Sequence, residues 1–224
     1  MDYIPISILD KNHLLYLGIL VFCGLLLFLN PLKIRQHRRK LTTGLLIVSL
    51  LQQLLLYGYF IVFDIFTVST SLPLHLSRIT SILGIIFFIT KNPKLFSVIA
   101  YFSLFAWLSF LVPTDIQPIN HPLGVSFLTN HVITLLLPFY MIIAYRVTLR
   151  PTDKYVAYAW LSIYILTVYF LNPILEGNYF YLIDKPVFKT MPNLIYLIGV
   201  YVVSAVLFLI GEQFFKRVDR YYKQ

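Results

Sequence analysis

Residues 194–215 read LIYLIGVYVVSAVLFLIGEQFF, and Glu212 is the one charged side chain in that stretch. An α-helix needs roughly 20 apolar residues to cross the hydrocarbon core of a bilayer, and this segment supplies that length. Working back along the chain, comparable runs occupy about 13–30, 43–63, 72–90, 95–113, 130–149 and 155–172. The reading is an all-α, polytopic membrane protein with seven transmembrane helices in a single integral membrane domain, 1–224. Proline punctuates the runs: Asn30-Pro31, Pro113, Pro151 and Asn172-Pro173 are expected to stop helices, and Pro138 to kink one. The run 72–90 is the most polar, with His75, Ser77, Arg78, Thr80 and Ser81 in its first half. Neither an internal repeat nor a soluble domain is visible.

Composition agrees. Of 224 residues 59% are apolar and 12% charged, with a mean hydropathy of +0.80, whereas soluble domains are about half apolar and a quarter charged. A soluble enzyme is excluded. Seventeen Tyr, nineteen Phe and two Trp suit membrane interfaces. The single cysteine, Cys23, excludes an internal disulfide and any CxxC motif. The leader up to Asn12 carries Asp2, Asp10 and Lys11, and no small-residue cleavage site follows the apolar run, so the first span is expected to remain as an anchor.

Charge gives the orientation. Segments 31–42, 91–94, 146–154 and 216–224 hold 14 of the 18 basic residues, all on one side if seven spans alternate. The positive-inside rule then puts the N-terminus outside and the C-terminus in the cytoplasm. Asp2, Asp10, Asp64, Asp115, Glu176 and Asp184 fall outside. Topogenesis and attraction to anionic lipid explain the net charge of +9, so no nucleic-acid partner is implied.

The polar residues gather at one level. His13, His75 and His131 each open a span from the outer side, with Asp64, Ser77, Arg78, Asn130, Asn172, Glu176, Asn178 and Tyr179 in the same layer. Ionisable groups at membrane depth are costly and mark function when they face a protein interior. His75 and Arg78, three apart, are expected on one helix face, and Ser77 on another. The plainer reading leaves each histidine in the headgroup region. His121, before Pro122, reads as a solvated loop residue, and His37 as part of a charge cluster. Gln52 and Gln53 read as hydrogen-bonding glue between helices, and Glu212 as an ordinary pair with Lys216. The long outer segments, 114–129 and 173–193, are where function is expected.

Histidine acts as a base near neutral pH, Ser or Thr as a nucleophile, and Arg or Asn steadies an oxyanion. That set fits acyl transfer. No HxxxH or HExxH spacing is present, so neither a metal nor another cofactor is expected. A solute transporter would place its polar residues at the midplane, whereas these are expected at the outer edge.

Certain segments carry a family resemblance. Asn12-His13-Leu14-Leu15, Leu72-Pro73-Leu74-His75-Leu76-Ser77-Arg78, Asn130-His131 and Asn178-Tyr179-Phe180-Tyr181-Leu182 with Lys185-Pro186 resemble the YwaF-like bacterial integral membrane proteins, relatives of eukaryotic transmembrane protein 164. The resemblance implies seven helices in a bacterial plasma membrane and transfer of acyl chains between lipids by a cysteine and a histidine. By that resemblance His131 is the family histidine of span five and His75 that of span three, while Ser77 stands where members typically have cysteine. Serine is a weaker nucleophile and needs a well-placed base.

The expected function is therefore a membrane-embedded acyltransferase acting on a lipid or lipid-linked envelope molecule at the outer leaflet. His131 is the expected base, His75 a second acid/base or orienting group, and Ser77 a candidate nucleophile. Arg78, His13, Asp64, Asn130, Asn178 and Tyr179 would bind substrate. The alternative is a non-catalytic lipid-binding or assembly subunit of an envelope or transport complex, with a protein partner.

Overall fold

The computed structural model describes residues 5–113, 115–185 and 188–223, and among these every regular element is helical. Asp2, the first residues of the leader and Pro186 lie outside the described residues. Helix α1 (Lys11–Leu29) begins where Asp10 Oδ1 accepts the His13 N–H at 2.8 Å, a side-chain cap. Pro31 then opens α2 (Pro31–Gln36) at a position that needs no N–H. After His37 comes α3 (Arg38–Val62), followed by irregular chain to His75. The rest is α4 (Leu76–Thr90), α5 (Phe96–Phe102), α6 (Leu104–Leu111), α7 (Pro122–Tyr145), α8 (Asp153–Leu175) and α9 (Asn193–Lys223).

Six segments are long and apolar enough to span: Lys11–Leu29, Arg38–Val62, Pro93–Leu111, Pro122–Tyr145, Asp153–Leu175 and Asn193–Tyr222. The run expected at 72–90 gives only the 15 residues of α4, about 22 Å of helix against a core of about 30 Å. Pro73 disfavours helix in the residue before it. The preceding turn satisfies itself, with Thr67 N–H donating to Ser71 Oγ (3.1 Å) and Ser71 N–H to Thr67 O (2.8 Å).

Other boundaries also move. The helix expected at 130–149 begins at Pro122, because His121 caps it by accepting the Leu123 N–H on Nδ1 (3.2 Å). His121 is thus a cap and not a free loop residue. Pro173 does not stop α8, which runs to Leu175 and ends with Glu176 in the left-handed conformation. The run expected at 95–113 is broken at Ser103. The expected tail 216–224 continues α9 to Lys223, and Tyr222 Oη donates to Phe28 O at 2.6 Å.

Helix α7 is the axis. Some 78% of its best spanning window is buried, against 17–28% for α1, α3, α8 and α9. It packs against α1, α3, α4, α5, α6 and α9, and a helix apolar on all sides is one enclosed by others. The outer helices turn Phe22, Leu54, Ile61, Phe170, Val202 and Ile210 outward. Such a sheath is stable in lipid and prone to aggregation in water. This is a multi-pass membrane protein.

Inside, most polar groups are paired, the Tyr57 and Tyr101 hydroxyls and Asn130 Oδ1 excepted. Gln52 Nε2 donates to Ser126 Oγ (2.8 Å) and Gln53 Nε2 to Ser81 Oγ (3.1 Å), tying α3 to α7 and α4. Glu212 meets Lys216 and, beyond the expected pair, Lys154 of α8, both at 2.9 Å. Arg35 Nε donates to Ile143 O (3.0 Å), and its Nη2 to Tyr222 O, joining α2, α7 and α9.

Candidate functional site

Helices α3, α4 and α7, with the irregular segment before α4, enclose a polar cluster around His131. Phe127 lies one turn earlier, its ring stacked on the imidazole at 3.9 Å between centroids, and its carbonyl faces Nδ1 at 2.9 Å. A carbonyl only accepts, so the proton sits on Nδ1. That leaves the Nε2 lone pair, which no described residue engages. The adjacent Asn130 Oδ1 and the Tyr57 hydroxyl are buried without partners.

The depth differs from expectation. The Tyr59 hydroxyl and His121 Nε2 are 3.1 Å apart, which aligns the C-terminal end of α3 with the N-terminal end of α7. His131 lies ten residues further along, about 15 Å, or roughly half the thickness of a hydrocarbon core. The histidine expected at the helix mouth is deep in the bundle, because α7 starts earlier than hydropathy indicates.

His75 caps α4 in extended conformation (φ −67°, ψ 136°), so it does not share a helix face with Arg78 as expected. Its ring stands edge-on to Tyr179, 4.9 Å between centroids, and within electrostatic reach of Arg78 and His131. Arg78 Nη1 donates to Thr70 O (2.8 Å) and Leu72 O (2.9 Å), and the guanidinium lies over Phe60. It also faces the hydroxyls of Tyr57 and Tyr179. Among the described residues Arg78 has no carboxylate partner. Tyr179 is held by Asn172, whose Oδ1 accepts its N–H (2.8 Å) and whose Nδ2 donates to its carbonyl (2.9 Å). The Tyr179 hydroxyl donates to Val68 O at 2.7 Å.

The other expected site residues stand apart. Ser77 is half-buried on α4, and its side chain makes no hydrogen bond among the described residues. Asp64 is exposed and ends α3 with φ at 51°. Asn178 folds its own loop, its Oδ1 accepting from Ile183 and Asp184 N–H at 3.0 Å each and its Nδ2 donating to Asp184 O. His13 is used up, with Nδ1 accepting from Leu9 N–H (2.8 Å) and Nε2 donating to Phe110 O (2.6 Å). The Phe110 ring lies 6.2 Å from the His131 ring, centroid to centroid. Cys23 is half-buried in α1. No group of three or more His, Cys, Asp or Glu converges among the described residues.

Sequence reading did not place Tyr57 or Phe127 at the site. The second had a signal, since Phe127 and His131 are four apart on one face.

A family model described as the TMEM164 family matches residues 8–211. The chain belongs to the TMEM164 family. No curated protein and no solved structure matches it. The matched span of this TMEM164 family member contains every residue of the cluster, from Tyr57 to Tyr179.

Proposed function

We propose that this TMEM164 family member is a lipid acyltransferase working from the outer leaflet of a bacterial plasma membrane. The observation that carries the reading is His131, with Nδ1–H held by Phe127 O and Nε2 left open, while the adjacent residue, Asn130, has its Oδ1 buried without a partner. A base held in one tautomer by a backbone carbonyl is ready to take a proton. The N-terminus lies outside and the C-terminus in the cytoplasm, with α4 as a seventh, short crossing. Most of the irregular segment leading into α4 is exposed, and Arg78 satisfies its Thr70 and Leu72 carbonyls.

In the step proposed, the hydroxyl of an acceptor lipid gives its proton to His131 Nε2, and its oxygen adds to the ester carbonyl of a donor lipid. The tetrahedral intermediate collapses, the donor's alkoxide leaves, and the imidazolium returns the proton to it. Arg78, lacking a carboxylate, attracts the lipid phosphate or the oxyanion, and His75 orients the group between them. Ser77 makes no hydrogen bond to a base, which favours direct transfer over an acyl-enzyme.

Lipid mass spectrometry on cells lacking the protein tests this, with complementation by wild type, His131→Ala or Ser77→Ala at matched protein levels. Direct transfer requires that His131→Ala fail and Ser77→Ala restore the acyl-chain distribution. Failure of both reinstates Ser77 as nucleophile. If both restore it, or no lipid changes, catalysis at His131 is refuted and the assembly-subunit reading takes over. The depth of His131 favours a second reading, passage of a solute along the midplane level of Gln52 and Gln53. Vesicle flux abolished by Gln53→Leu, with lipids unchanged, would mark that reading.

A further inference from the structure

At the end of α7 opposite its His121 cap, the turn before α5, the start of α5 and the α7–α8 connection line a recess of about 450 Å³. That lies within the range of small-molecule sites, about 300–1,000 Å³. Three cations line it from separate stretches of chain: Lys94 from the turn before α5, Arg146 at the end of α7, and Arg150 before α8. Arg146 takes the left-handed conformation (φ 53°), which ends α7 and turns the chain across the recess. Asp153 is the one carboxylate in the lining, and its Oδ2 is already engaged by the Arg150 N–H at 2.7 Å. None of the three cations has an ion-pair partner among the described residues. Phe96 and Val156 form an apolar wall, and Ser97, Thr148 and Thr152 add hydroxyls.

We propose that this recess binds a phosphate ester, either the headgroup of an anionic phospholipid or a soluble phosphate monoester. Convergent cations with a preoccupied carboxylate select a compact anion. The apolar wall suits the glycerol and upper acyl region of a lipid at the membrane edge. A generic basic surface behaves differently, and the chain carries one for comparison. The patch from Arg35 to Lys40 comes from one continuous stretch, and Arg35 there is already committed to Ile143 O and Tyr222 O. Arg39 and Lys40 line a recess of about 590 Å³ and are exposed, as Lys94, Arg146 and Arg150 are, and they supply the same charge as Arg146 with Arg150 but from one stretch only.

Native mass spectrometry of the purified full chain, titrated with phosphatidylglycerol, phosphatidylcholine or glycerol 3-phosphate, tests the site. Wild type should retain phosphatidylglycerol over phosphatidylcholine. Arg146→Gln with Arg150→Gln should weaken that about tenfold, the effect of roughly one charge-assisted hydrogen bond. Arg39→Gln with Lys40→Gln should change it less than about twofold, because those two come from one stretch and do not converge from separate segments on one anion. Lys94→Gln, on a separate segment, repeats the test if the double variant misfolds. Competition by glycerol 3-phosphate identifies a soluble ester as the ligand, and its failure beside retained phosphatidylglycerol identifies the lipid. Equal losses from the two charge pairs, or equal retention of phosphatidylcholine, would overturn the proposal.

Discussion

Asn172→Ala probes the scaffold of the cluster without touching His131. Asn172 is 1% exposed, and its amide holds both the N–H and the carbonyl of Tyr179, itself fully buried. Truncation deletes two hydrogen bonds and strands two backbone groups where water does not reach. Each stranded group costs about 1–3 kcal/mol, whereas side-chain hydrogen bonds between membrane helices average about 0.6 kcal/mol. Burial of Tyr179 argues for the upper part of that interval, about 3 kcal/mol in all. At about 2–4 °C per kcal/mol for a chain of this size, the midpoint of thermal unfolding in detergent should fall by roughly 6–12 °C. Asn178→Ala is the internal comparison. That residue makes three hydrogen bonds, but its loop is open to water, so its loss should cost about 1 kcal/mol. Fluorescence-detected size exclusion after heating reads both. An Asn172→Ala midpoint within 2 °C of wild type, or a larger drop for Asn178→Ala, refutes the reasoning from burial.

Three further outcomes follow from other contacts. At Gly124 an added Cβ would lie 2.0 Å from Pro118 O and 2.6 Å from Gln117 O, both backbone atoms, so Gly124→Ala should cost about 3 kcal/mol and lower the yield of monodisperse protein. Glu212→Gln leaves Lys154 and Lys216 facing a neutral amide. Breaking a buried pair costs about 3–5 kcal/mol, but both ammonium groups reach water, so about 2 kcal/mol is expected by the same heating assay. Asp10 lies before the first span, and its carboxyl sits below the ordinary 3.8 because it accepts the backbone N–H of His13, then that of Ser7. A lowered value stabilises the fold above pH 3.8 and loses that effect as the pH falls through the lowered value. Asp10→Ala should therefore lower the unfolding midpoint at pH 7, with the gap to wild type closing at the most acidic pH the detergent tolerates.

Hydropathy located the helices whose faces meet lipid and misjudged those that meet protein. The first turns of α7 contain Gly124, Ser126, Thr129 and Asn130, too polar to score as a span, yet Ser126 and Asn130 are buried against neighbouring helices. That is why its start was set eight residues late and His131 too shallow. The same bias counted Leu72–His75 as span when Pro73 and the Thr67–Ser71 turn keep it out of the helix. Gln52 and Gln53 were legible as interhelical ties, since a mid-span amide demands a partner and their neighbours supplied it. His75, Arg78, His131 and Tyr179 were singled out together and do lie around one cluster. Asp64, Asn178 and His13 shared the layer in sequence but spend their polar atoms on turns and caps. Nothing in their spacing signals this, because such bonds depend on how the chain reverses.

The enclosure of α7 also bears on biogenesis. As the chain leaves the ribosome, α7 enters the membrane before α9 exists, although α9 forms one of its walls. Until then the Phe139 end of α7 lacks the Phe214 and Phe215 rings that pack on it. A nascent chain arrested before residue 193 should present a degradation-prone intermediate to membrane quality control, and synthesis of the last helix is the event that closes the core around that end of α7.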